Sequence, residues 1–97
     1  MEIKFSNKIS KYLKDEKTIK RFYGKISRNI IVSLSVLKHA DYLSQVPNVP
    51  PTRRHKLNNE KWAVDVSANW RLVFRPLNGT DLNDIDSIEI IDIEDYH

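Results

Sequence analysis

Three histidines stand in the 97-residue chain, at positions 39, 55 and 97, and His55 lies inside a run of basic side chains, Arg53-Arg54-His55-Lys56, one residue after Pro50-Pro51. Imidazole takes up and releases protons near neutral pH, so it suits both proton-transfer roles. Arginine presents a planar fork that matches phosphate oxygens. Two further arginines, Arg71 and Arg75, alternate with Trp70, Leu72 and Phe74. If the apolar side of that segment faces a core, both arginines project from the other side, with Asp65 and Ser67 nearby on the paired strand. The chain closes on Tyr96-His97. Each feature also has a plainer reading. His39, in Lys38-His39-Ala40-Asp41, fits a surface residue at a helix end. A basic run is often solvated surface, and arginine–aspartate pairs on a sheet face are worth under about 1 kcal/mol each. A terminal Tyr-His pair fits a frayed end. Spacing alone does not choose.

The types of residue present narrow the chemistry further. Without cysteine there is no thiol catalysis, no disulfide and no Cys-ligated zinc, which fits a reducing compartment and an expected cytoplasmic location. No His-x-x-x-His or carboxylate-plus-histidine spacing appears, and the acidic residues of 81–95 lack a calcium-loop register. Gly24 and Gly79 are the only glycines, too few for a phosphate-cradling loop or a dinucleotide fingerprint, and there is no nucleophile elbow. No metal or cofactor is therefore expected. Cations, imidazole and hydroxyl groups remain, and RNA strand scission needs no more. A base removes the 2′-hydroxyl proton, cations stabilise the added phosphate charge, and an acid protonates the departing 5′ oxygen.

These residues must be held by elements that the periodicity makes legible. Met1, Ile3 and Phe5 alternate, as in a strand. Ser6 is placed to cap a short helix with Ile9, Tyr12 and Leu13 on one side and Lys8, Lys11 and Lys14 on the other. Asp15 is a second cap, after which Ile19, Phe22, Tyr23, Ile26, Ile30, Leu34 and Leu37 recur at helical spacing, predicting one long helix from Glu16 to about Ser44. Gly24 weakens that helix by about 1 kcal/mol relative to Ala. A helical hairpin breaking near residues 15–16 results. Pro47, Pro50 and Pro51 make an extended connector. The period then changes to two, with Trp62, Val64 and Val66 in one strand and Trp70, Leu72 and Phe74 in the next, joined by a short turn. Residues 76–86 read as a polar, mobile loop. The last strand spans Ser87 to about Glu94, where the Ile90-Ile91 doublet predicts a bulge or burial on both faces. The result is a single α+β domain over residues 1–97, in the order strand, helix, helix and three strands, with the helices on one face of a mostly antiparallel sheet.

Composition agrees with such a domain. Apolar residues make up 40% and charged residues 30%, which excludes a disordered tail, and no run reaches the roughly 18 apolar residues of a membrane span. The net charge of +3 is unevenly laid out: residues 1–61 carry 14 Lys/Arg against 5 Asp/Glu, and residues 62–97 carry 2 against 8. A basic body points towards a polyanion.

Pro51-Thr52-Arg53-Arg54-His55-Lys56-Leu57, the strand pair from Trp62 through Asn69-Trp70-Arg71-Leu72-Val73-Phe74, and the run from Ile88 to Asp95-Tyr96-His97 together resemble the HigB branch of the RelE-type toxins. The family's leucine before the hairpin, its Asn-aromatic-Arg-aliphatic-x-Phe signature and its closing Asp-Tyr-His are all present, and the element order also matches. The resemblance implies a RelE-like fold and a bacterial messenger-RNA interferase that cuts the message in the decoding site of a translating ribosome. It implies a cognate antitoxin as partner, of the helix-turn-helix HigA type, in a hetero-oligomeric complex, and no membrane. By the same resemblance Arg71 stabilises the scissile phosphate, Tyr96 and His97 orient RNA and share the proton transfers, and His55 matches a family histidine. Arg53, Arg54, Lys56, Lys61 and Arg75 then serve as RNA-binding cations. Many relatives place a lysine and a Gly-Asp-Arg turn after the leucine; here Asn58-Asn59-Glu60-Lys61 follows, so Lys56 or Lys61 substitutes. Some relatives carry a second cation where Ser67 stands. The alternative is a ParE-like protein of the same fold, which inhibits DNA gyrase without catalysis.

Overall fold

The computed structural model describes residues 1–95. Five strands, β1 (Glu2–Phe5), β2 (His55–Lys56), β3 (Trp62–Asp65), β4 (Trp70–Pro76) and β5 (Ser87–Asp95), form one sheet in the order β1-β5-β4-β3-β2. β1 runs parallel to β5 and the other neighbouring pairs are antiparallel. Three helices, α1 (Asn7–Leu13), α2 (Glu16–Tyr23) and α3 (Ser27–His39), separate β1 from the rest. The architecture is α+β, as expected, with β2 as a fifth strand on the sheet's far edge.

The two expected helices are α1 and the joined pair α2–α3. Asp15 caps α2, its carboxylate accepting from the Thr18 N–H at 2.7 Å. That bond holds the Asp15 carboxyl below the usual carboxylate range. Ser6 does not cap α1: its hydroxyl donates to the Ile91 carbonyl at 3.3 Å, tying the start of the helix to β5. The uninterrupted helix expected over 16–44 is not formed. Gly24 takes a φ of +53°, a left-handed conformation that costs a residue without Cβ little, and a 3-10 turn (Gly24–Ile26) redirects the chain into α3. Beyond Ala40 the chain is extended, then makes a second 3-10 turn at Leu43–Gln45.

One sheet face, with Val64, Leu72, Phe74, Ile88, Ile90 and Ile93, is buried against Ile9, Leu13, Ile19, Ile30 and Leu37 of the helices. Two connections depart from expectation. The proline segment is a tight turn, closed by Arg53 N–H to the Val49 carbonyl and Arg54 N–H to the Pro47 carbonyl, both at 2.8 Å. The loop expected to be polar and mobile over 76–86 is stitched to the second 3-10 turn by Leu43 N–H to Ile85 O and Ser44 N–H to Leu82 O, and Ile85 is 1% exposed. The Ile90-Ile91 doublet is a bulge: the β4–β5 register shifts between Val73 and Phe74, leaving Ile91 opposite no residue. Among the described residues no helix is long and apolar enough to cross a membrane.

Candidate functional site

The sheet face turned away from the helices carries the candidate chemistry. Along β4, Leu72 and Phe74 enter the core, so Arg71, Val73 and Arg75 emerge on the opposite side. His55 of β2 pairs with Ala63 of β3, which pairs with Val73 of β4, and residues paired across a ladder share a face. His55 and Arg71 therefore stand on one surface, two strands apart (about 10 Å) and two residues apart along the strands (about 7 Å). Arg53 joins them by reaching to Asp65, which pairs with Arg71 in register.

The His55 ring is oriented by its own turn. Its Nδ1 lies 2.7 Å from the Arg53 carbonyl, which can only accept, so Nδ1 carries the proton and the neutral ring keeps its lone pair on Nε2. That places a proton acceptor on a half-buried imidazole at the sheet edge. Arg53 supplies the carbonyl from a left-handed conformation with φ 45°, a region sparsely populated by residues with a Cβ. Bidentate bonds from its Nε (2.6 Å) and Nη2 (3.1 Å) to the Asp65 carboxylate pin the side chain, and Asp65 N–H donates to the Thr52 carbonyl beside it.

The guanidinium groups on this face are paired with carboxylates. Arg71 donates from Nε and Nη2 to one oxygen of Glu94 at 3.1 and 3.0 Å, and Arg75 Nε donates to Glu89 at 2.7 Å. Both are directly opposed cross-strand pairs. Three arginines thus meet three carboxylates, and the face is close to charge balance. Arg54 goes elsewhere. Its Nη1 donates to the Leu43 carbonyl at 2.8 Å, its guanidinium lies 5.8 Å from the Trp62 ring centroid, and its buried Nε has no partner among the described residues. Burial pulls this guanidinium below its ordinary value. Lys56 pairs with Trp62 and lies on the other side of the ladder from His55, while Lys61 sits exposed in the loop between β2 and β3. Tyr96 and His97 lie outside the described residues.

Sequence reasoning put Arg71 and Arg75 on one face with Asp65 nearby; that His55 and Arg53 join them, and that Glu89 and Glu94 pair with the arginines, it missed. The signal was present as acidic residues alternating along the last strand. Their partners depend on the register, which the bulge at Ile91 sets and spacing does not reveal.

No family model matches the sequence, and no curated protein matches it. Among solved structures, the chain is similar to a YoeB/ParE toxin from Agrobacterium tumefaciens, with a TM-score of 0.61 and 13% identity over 100% of both chains. At that identity the likeness is one of fold.

Proposed function

We propose that the chain is the toxin of a toxin–antitoxin pair, of the HigB type, that cuts messenger RNA on the translating ribosome. The observation that carries this reading is the placement of an Nε2 acceptor at His55 and a guanidinium at Arg71 on one open sheet face. Arg71 exchanges Glu94 for the scissile phosphate and offsets the charge that builds as the 2′ oxygen attacks. The 2′ proton goes to a histidine, His55 or the terminal His97, and the other histidine protonates the leaving 5′ oxygen. Tyr96 orients the nucleotide. Arg53 and Arg75 hold flanking phosphates, with Lys56 and Lys61 beside them, and Arg54 braces the turn that presents His55. The partner is a helix-turn-helix antitoxin in a hetero-oligomer, and the location is the cytoplasm.

Primer extension on message from a translation reaction tests this. Wild type leaves new 5′ ends, and Arg71→Ala, His55→Ala and His97→Ala each lower cleavage by about 10²–10³-fold. A second reading, non-catalytic inhibition of DNA gyrase, is favoured by the charge balance of the open face, where each arginine already has a carboxylate. Intact message together with inhibited supercoiling would establish it instead.

A further inference from the structure

A pocket of about 440 Å³ opens at the end of the sheet, between the loop after β2 and the loop after β4. We propose that it takes one nucleotide of the bound RNA strand, its base against Trp62 and its phosphate between Lys56 and Arg75, and so sets the sequence preference of cleavage. The proposal rests on the ribonuclease reading above. The lining carries what a single-stranded nucleotide requires: two cations, Lys56 and Arg75, against one carboxylate, Glu60, with the indole of Trp62 and the polar groups of Asn59 and Thr80. The Lys56 Nζ lies 5.8 Å from the Trp62 ring centroid, so a cation already marks the electron-rich ring that a base would stack upon. Lys56 is exposed and flexible enough to yield that place and turn its ammonium to the phosphate.

Asn59 and Thr80 have no side-chain hydrogen bond among the described residues, which leaves an amide and a hydroxyl to read the edge of a base. Through Arg75 the pocket also borders the face that carries Arg71. Arg75 is four residues from Arg71 on the same face of β4, about 13 Å along the strand. A strand held at Arg71 continues along β4 to Arg75, half exposed and bonded to Glu89, and turns over the end of the sheet to bring a neighbouring nucleotide to Trp62 and Lys56 on the other side of the ladder.

Trp62 and Trp70 are the two tryptophans, so Trp70→Phe in the full chain leaves Trp62 as the sole indole, excited selectively on the red side of tyrosine absorption. Titration with 2′-O-methyl ribotetranucleotides, which cannot be cut, is expected to quench Trp62 saturably. Lys56→Gln with Arg75→Gln should weaken binding at least tenfold, and Asn59→Ala or Thr80→Ala should reorder the preference among the four bases. If Trp70→Phe does not fold, the wild-type indole N–H resonances report the same titration. Inorganic tripolyphosphate that competes as tightly as the oligonucleotide would reduce the pocket to a bare anion site and overturn the proposal, as would an unresponsive Trp62. Message cleaved with Trp62 unresponsive removes the pocket and keeps the nuclease; binding at Trp62 without cleavage by the wild type on ribosomes removes the nuclease and keeps the pocket.

Discussion

Arg54 and Arg71 illustrate how one residue type serves two ends. Arg71 pairs with Glu94 where both side chains are part-exposed, 25% and 39%. Water competes for such a pair, and its net worth is under about 1 kcal/mol. On the RNA reading, the same weakness would let a phosphate displace Glu94 without disturbing the sheet. Arg54 instead satisfies the Leu43 carbonyl, the residue through which the second 3-10 turn is pinned to Ile85. Removing it takes away a charge-assisted bond, leaves the Leu43 carbonyl with the Val46 N–H alone at 3.1 Å, and uncovers one side of Trp62. Arg54→Ala should lower the unfolding free energy by about 1–3 kcal/mol, whereas Arg71→Ala should cost under about 1 kcal/mol. Urea titration of the two variants measures both. Equal losses would mean that Arg54 is as dispensable to the fold as its neighbours on the open face.

At the scale of elements, the reach of sequence reasoning follows from how local each signal is. β1, α1, β3, β4 and β5 were legible because their periods are set by burial on one side. Asp15 was legible as a cap because its partner, Thr18, is three residues away. β2 was not, since a two-residue edge strand has no period, and the buried Ile85 was hidden in a stretch whose polar neighbours dominate its character. Glu94 and Glu89 were invisible as partners because register is a long-range property. Gly24 was recognised as a weak point but placed inside a helix, and two opposite outcomes separate those views. In a continuous helix Gly24→Ala would stabilise by about 1 kcal/mol. With φ at +53° and no atom within 4 Å of an added Cβ, strain alone decides, and the variant should be destabilised by about 1 kcal/mol. Thermal unfolding of Gly24→Ala reads the sign directly. Asp15 sets a pH dependence at the other end of α2. Its folded pKa is depressed, so the cap contributes stability above the ordinary carboxylate pKa and loses it as pH falls through the lower folded value. Wild type should therefore melt above Asp15→Ala near pH 7, with the gap narrowing at about pH 2. A gap that stays constant across that range would remove Asp15 ionisation as its cause.

The whole molecule is divided by charge compensation more than by charge. On the open face the arginines have carboxylate partners, while residues 7–28, across α1, α2 and the start of α3, hold eight cations against two carboxylates, and one of those two, Asp15, is engaged in capping. Lys8 alone among the eight has an ion-pair partner, Asp92, among the described residues. On the RNA reading this separates holding from cutting. The helical surface supplies the sequence-independent attraction to phosphates and the fast encounter, and the balanced open face engages the strand only once it is delivered. Binding through lysines releases counterions, so the logarithm of the association constant falls linearly with the logarithm of salt, by somewhat less than one unit of slope per phosphate contact. Lys14, Lys17, Lys20 and Lys25 are all exposed and make no ion pair among the described residues, so changing the four together to Gln leaves the core untouched. Ribosome co-sedimentation over a salt series should show that slope reduced by about 3 in the quadruple variant. Arg71→Ala, on the open face, should keep the wild-type slope. If the quadruple variant pelleted with the wild-type salt dependence, the attraction would have to originate on the sheet, and the division between a holding surface and a cutting surface would fail.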